Sequence, residues 1–366
     1  MSKRLSNMEA LRILAMFMVI VLHYLDKGGL LTPSVEPFGA HSYMAWLVES
    51  FSIVAVNIYV LITGYFMCKS SLKISRLLQI ICQVLWYSML IPIMLVLLGN
   101  IKMSTFGTYD LLQFVFPIHM KQYWFVTSYV ILMLFVPMIN LAIKHMNQRQ
   151  LLLVTCLFVA FETLPKSILP VKFTTDEAGN NALWIICLYL IGAYIRLYGI
   201  PFFRNFLRSM LVYVIGSLGM FSSLIVMRVL YFKADVFGNN LNLGYHYNHI
   251  LCLAASVALF YAFLHISIPD GKISRGITMV SPYVFGVYLL HEHILVRYEW
   301  VKWFRVAPTK EPLMFIGELL WKCLAVLLIG LLLDFIRAEV FRLCKKILQK
   351  TRLVKGLDRL DACLKG

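Results

Sequence analysis

Apolar runs of about twenty residues recur along almost the whole chain. At about 1.5 Å of rise per residue, such a run wound as a helix crosses the ~30 Å hydrocarbon core of a bilayer. Lipid offers backbone N–H and C=O groups no partner, so the run must satisfy them internally, as a helix does. Ten spans are predicted, at roughly residues 9–25, 46–66, 77–98, 123–143, 150–164, 183–199, 209–230, 248–268, 278–296 and 314–335, the fifth and sixth being short. With 60% of the 366 residues hydrophobic and 14% charged, one soluble core would not cover this much apolar surface. The expected fold is all-α, a polytopic transmembrane helix bundle. Residues 1–336 read as the transmembrane domain and 337–366 as a basic amphipathic cytoplasmic tail lying on the anionic inner leaflet. No internal repeat, linker or second soluble domain is visible.

The net charge of +16 suggests nucleic acid at first sight, but the basic residues lie in short clusters between apolar runs and in the tail. The membrane reading accounts for them better. With the N-terminus inside, 21 Lys and Arg fall in inner segments (among them Lys3 and Arg4) and 10 in outer loops, leaving Arg12, Arg228 and Lys322 within spans. That imbalance predicts both termini in the cytoplasm. Arg12 interrupts the first apolar stretch and no small-residue cleavage site follows, so a retained first span is expected rather than a signal peptide. The eight Cys form no CxxC pair and fall mostly in apolar runs, as small buried hydrophobes do. Outer loops at 26–45, 99–122, 165–182 and 231–247 are long enough to shape a vestibule.

Ionisable groups inside spans are costly and mark functional sites by default. The first span carries Glu9, Arg12, His23 and, at its end, Asp26. Eleven residues at about 100° each make three turns plus roughly 20°, so Arg12 and His23 share a face, roughly 16 Å apart along the axis. An anionic group held at Arg12 would leave a long arm reaching a base at His23, with Asp26 orienting the ring. The plainer reading is a snorkelling Arg and an interfacial His. Asn57 and Asn140 need partners in lipid, and either line a tunnel or bond neighbouring helices. Tyr123 and Trp124 sit at the outer interface as an aromatic belt or a stacking surface for a sugar. His291 and Glu292 lie at a depth like that of His23, and either bind an acceptor or pack. The HEH at 291–293 and HYNH at 246–249 lack metal-site geometry or support, so no metal is expected. Glu49, Glu162, Glu318 and Asp334 are placed near span ends, in contact with solvent or headgroups.

LRILAMFMVIVLH, with ten residues between Arg12 and His23, resembles the first span of the acyltransferase-3 family of integral membrane O-acyltransferases. VNIYVLITGYFM, YWFVTSYVILMLFVPMIN, ALWIICLYLIGAYIRLY and VFGVYLLHEHI resemble later spans in the same order, so the resemblance covers most of the chain. One departure stands in LKISRLLQI: where many members have a second Arg three residues on, Arg76 is followed by Gln79, and Lys73 precedes it.

The resemblance implies transfer of an acyl group, usually acetyl, from a cytoplasmic acyl-coenzyme A to a sugar hydroxyl of a cell-surface polysaccharide or lipid-linked glycan, in a bacterial plasma membrane. His supplies a base near neutral pH, and Arg and Lys recognise the donor's phosphates. His23, Arg12 and Asp26 would then be catalytic. Lys73, Arg76, Gly64, Tyr65, Asn57 and Asn140 would bind the donor, Gly64 by admitting close backbone approach. Trp124, Tyr123, His291 and Glu292 would bind the acceptor. Acyl-coenzyme A, the glycan and membrane lipids are the expected partners, with no nucleic acid and no metal. The rival is an exporter of glycan intermediates, against which stands the absence of a visible broken-helix repeat. A sensor or scaffold has no appended domain to support it.

Overall fold

The computed structural model describes residues 5–169, 171, 173, 177–236, 238–309, 311–348 and 352–363. Lys3, Arg4, Lys172, Lys310, Lys350 and Lys365, counted in the charge asymmetry, lie outside the described residues. The helices are α1 (Ser6–Lys27), α2 (Ala40–Ser52), α3 (Ala55–Met67), α4 (Ile74–Leu97), α5 (Thr108–Val115), α6 (Trp124–His145), α7 (Gln148–Ile168), α8 (Ala182–Leu197), α9 (Phe206–Ala234), α10 (Ile250–His265), α11 (Lys272–Val280), α12 (Val284–His291), α13 (Glu299–Trp303), α14 (Pro312–Leu348) and α15 (Arg352–Cys363). No strand occurs among the described residues.

Nine stretches among the described residues are long and apolar enough to cross a membrane, α2–α3 counting as one and α11–α12 as another. α8, with 16 residues, is a shorter tenth. The protein is a multi-pass all-α bundle. Three details depart from the sequence reading. The fifth span is not short: Asn147 caps α7 by accepting the Gln150 N–H, and the helix runs 21 residues. The last span does not end at 336: α14 continues through Leu348. Beyond it, α15 rests on the first turn of α4, where Asp361 accepts the Ser75 N–H and hydroxyl.

Two spans are broken, although no broken-helix repeat is visible in the hydropathy pattern. α2 and α3 are separated at Ile53–Val54, and α11 and α12 by a 3-10 turn at Ser281–Tyr283. Pro282 accounts for the second break, since it has no N–H for a continuous helix. Elsewhere small residues bring helices into backbone contact, as expected where lipid gives no hydrophobic drive. A Cβ on Gly64 would lie 2.3 Å from the Tyr189 carbonyl of α8, and one on Gly286 would lie 2.1 Å from the Asp334 carboxylate of α14.

Asp334 and Glu49 are not at a solvent boundary, contrary to their reading as span-end residues. Asp334 is fully buried. It accepts from Gln83 Nε2 (2.9 Å), Tyr87 OH (3.0 Å), Arg337 Nε (2.9 Å) and Arg337 Nη2 (2.7 Å), a saturated carboxylate tying α4 to α14. Glu318 pairs with Lys322 at 2.8 Å, and Glu162 accepts from Asn248. Arg228 is buried against the Phe38 ring, 3.4 Å from its centroid, and donates to the Ser34 carbonyl, which pins the loop between α1 and α2.

Candidate active site

One stripe of α1 carries Arg12, Met16, Val19 and His23, spaced by four, three and four residues so that all share a face. Met16, Val19 and His23 line an internal cavity together with Val56 and Tyr59 of α3, Trp124 and Phe125 of α6, Phe285 and Tyr288 of α12, and Tyr247. At the Arg12 end, Tyr59 OH donates to the Arg12 carbonyl at 2.8 Å. Arg12 Nη1 donates to both oxygens of buried Glu9 at 3.2 Å, leaving Nε and Nη2 without a partner among the described residues. At the His23 end, Trp124 stacks on Tyr247, with centroids 5.7 Å apart at 29°. The cavity is thus a mostly apolar shaft with an imidazole in its wall; Arg12 does not line it and meets it only through the bond from Tyr59 to its backbone carbonyl.

The protonation pattern of that imidazole follows from its neighbours. His291 Nδ1 lies 2.6 Å from the Val287 carbonyl, which only accepts, so Nδ1 carries the proton. With both rings neutral, His291 Nε2 is then an acceptor, and His23 Nδ1, 2.8 Å away, donates to it. His23 Nε2 is left as an unprotonated nitrogen. Glu292 Oε2 stands 3.4 Å from His23 Nδ1, and its Oε1 is 3.3 Å from Arg297 Nη1. A proton taken up at Nε2 therefore creates an imidazolium facing a carboxylate that Arg297 holds in place.

This assigns new places to several predicted residues. Asp26 makes no bond to His23 among the described residues: its carboxylate pairs with Lys27 at 2.6 Å and is largely exposed. His291 and Glu292 are the groups that reach His23 Nδ1, at 2.8 and 3.4 Å. Tyr123 is buried with its hydroxyl donating to the Leu289 carbonyl at 2.9 Å, so it offers an acceptor no surface. Trp124 lines the cavity.

Among the donor candidates, Asn57 is fully buried in a helix-joining network, donating to Tyr247 O and Ser256 Oγ and accepting from Trp184 Nε1. Its reading as a tunnel residue gives way to the structural one. The backbone whose approach Gly64 admits is that of α8. Tyr65 OH accepts from Arg196, whose guanidinium lies 4.8 Å from the ring centroid. Asn140 donates to the Met67 and Ser70 carbonyls and accepts from Tyr189 OH. It also lines a crevice with Lys69, Ser70, Ser71 and Lys144. Lys73 and Arg76 lie at the start of α4, half-buried and exposed respectively, and line neither that crevice nor the His23 cavity. Of the HEH and HYNH histidines, His291 meets His23, His246 meets Lys166, His293 Nδ1 accepts the Leu295 N–H, and His249 Nδ1 accepts the Leu251 N–H at the cap of α10. Tyr59, Tyr247, Tyr288 and Arg297 complete the site; Tyr59 and Tyr288 lie within the family-like segments, whereas Tyr247 and Arg297 carry no motif that announces them.

The bundle and this histidine-centred shaft define a membrane protein built for chemistry within its own spans. Residues 5–335 match the acyltransferase-3 model, described as an acyltransferase domain, and the chain belongs to that family of membrane acyltransferases. No curated protein and no solved structure matches it.

Proposed function

We propose that the chain is an O-acyltransferase moving an acyl group, acetyl in the simplest case, from cytoplasmic acyl-coenzyme A to a hydroxyl of a cell-surface polysaccharide or lipid-linked glycan. Its setting is a bacterial plasma membrane, with both termini on the cytoplasmic side. The observation that carries this reading is the unprotonated Nε2 of His23, a residue lining an apolar cavity on the same stripe of α1 that carries Arg12.

The donor's phosphates stay at the Arg12 end, where Nε and Nη2 are free to bind them, with Lys73 and Arg76 adding positive potential at the same side. The pantetheine arm runs along Met16 and Val19. At the far end His23 Nε2 takes the proton of the acceptor hydroxyl as its oxygen attacks the thioester carbonyl. The C–S bond breaks, the ester C–O bond forms, and the imidazolium returns its proton to the leaving thiolate. Attack by Nε2 itself, giving an acyl-imidazole that the hydroxyl then resolves, uses the same atoms. Glu292 stabilises the imidazolium in the direct route, and His291 fixes the tautomer in both.

One observation favours the exporter: α2–α3 and α11–α12 are broken spans of the kind that line transport paths. Thermal unfolding of the purified protein with acetyl-coenzyme A separates the two. An acyltransferase gains about 2.7 kcal/mol at a donor concentration of 100 times Kd and loses the gain in Arg12→Ala; an exporter gains nothing in either form.

A further inference from the structure

Acyl transfer needs more than a base. As a nucleophile adds to the thioester carbonyl, charge collects on its oxygen, and a hydrogen-bond donor held there stabilises the transition state. The cavity around His23 is mostly apolar, so few of its groups can serve. The Tyr59 hydroxyl is spent on the Arg12 carbonyl, and Trp124 and Tyr247 stack on each other. Tyr288 lines the cavity and is in ring contact with His23, the centroids 6.3 Å apart at 31°. It is 6% exposed, and its hydroxyl has no hydrogen-bond partner among the described residues. A buried donor left unpaired calls for a specific account. Its backbone is fixed on both sides. The Val287 carbonyl accepts from His291 Nδ1, the Leu289 carbonyl accepts from Tyr123 OH at 2.9 Å, and Gly286 packs on the Asp334 carboxylate. Tyr288 and His291 are three residues apart on α12 and share a face. One short helix thus sets both the tautomer of His23 and the place of a free hydroxyl, so neither has to reorganise during the reaction.

We propose that Tyr288 is a catalytic residue, its hydroxyl donating to the carbonyl oxygen of the thioester as that oxygen becomes an oxyanion. This rests on the acyltransferase reading. His23 Nε2 takes the proton of the attacking O–H, the new C–O bond forms, and the carbonyl π pair moves onto the oxygen that Tyr288 holds. When that pair returns, the C–S bond breaks and the leaving thiolate takes the proton from the imidazolium. Tyr288 keeps its own proton throughout. A neutral phenol suits an apolar cavity, where a fixed cation would carry a desolvation cost whenever the site is empty.

Cleavage of the thioester by water passes through the same oxyanion, so the test needs no sugar. Purified wild type and Tyr288→Phe are compared for acetyl-coenzyme A hydrolysis and for binding of two donor analogues. S-ethyl-coenzyme A has no carbonyl, whereas S-trifluoroacetonyl-coenzyme A carries a ketone that hydrates to a tetrahedral centre. The expected result is a fall in kcat of about 100-fold in Tyr288→Phe, with the KM for acetyl-coenzyme A within about threefold and the thermal midpoint unchanged. Wild type should bind the ketone at least tenfold tighter than the ethyl analogue. Tyr288→Phe should lose that preference while binding the ethyl analogue as before; should hydrolysis be too slow to follow, this preference alone decides. A kcat fall below tenfold overturns the proposal. So does equal weakening of both analogues, which would make Tyr288 a ground-state binding group, or activity lost in step with a lowered midpoint, which would make it a packing residue. A wild type that binds neither analogue nor acetyl-coenzyme A removes the acyltransferase reading and this proposal with it.

Discussion

Glu292→Gln removes one charge and almost no volume from behind His23. If His23 is the base, the transition state places positive charge on its ring 3.4 Å from Glu292 Oε2. At that separation and an effective dielectric of about 20, the attraction is about 5 kcal/mol. Arg297, 3.3 Å from the other carboxylate oxygen, already engages that charge and itself repels an imidazolium, so a fraction remains. We take about 1.4–2.8 kcal/mol, which predicts a 10- to 100-fold fall in kcat. Asp26→Asn should stay within about threefold, because that carboxylate is largely exposed and paired with Lys27, where charge is screened. The assay is the initial rate of acyl transfer at saturating donor, on equal amounts of folded protein, with donor binding measured alongside. A Glu292→Gln rate within twofold of wild type, or a larger loss in Asp26→Asn, would refute the assignment of Glu292 as the group that stabilises His23.

Asp334→Asn leaves the 5% exposed Arg337 guanidinium without its counter-ion and should cost about 3–5 kcal/mol, read as a lost or lowered unfolding transition in detergent. Asp334→Leu combined with Arg337→Met should recover most of it; a single change as harmless as the pair would show that the network does not hold α4 to α14. Gly64→Ala, whose Cβ would meet the Tyr189 carbonyl at 2.3 Å, should cost about 1–3 kcal/mol, while Gly276→Ala, with nothing within 4 Å, should be neutral or slightly stabilising. Ser75 holds the Asp361 carboxyl below its ordinary value, so the α15–α4 contact contributes above that ordinary value and is lost as pH falls through the lowered one. A spin-label distance between α15 and α4 should lengthen in strong acid, and in Asp361→Asn already at neutral pH.

The spans were legible because a bilayer leaves a twenty-residue apolar run no other solution, and Arg12 and His23 were legible because helical geometry alone puts them on one face. What sits behind His23 was not. Asp26 is three residues away in sequence and was the natural partner, yet His291, 268 residues on, makes the bond. Only the packing of α1 against α12 brings the two together, and that packing depends on side-chain shape rather than on periodicity. The same holds for Asn57, Gly64 and Tyr123, polar or small residues whose partners lie on other helices. Asp334 and Glu49 were misplaced at span ends because a hydropathy window cannot see that α14 runs on past residue 336 or that α2 already begins at Ala40.

The central claim is that His23 carries acyl transfer, and its most direct test is the ester content of envelope glycans from a null strain expressing wild type or His23→Ala at equal abundance. Base-labile acyl groups restored by wild type and absent with His23→Ala are the predicted result. Equal ester in both would contradict the role of His23, and no ester in either, with glycan accumulating inside the null strain and relieved by wild type, would replace the acyltransferase with an exporter.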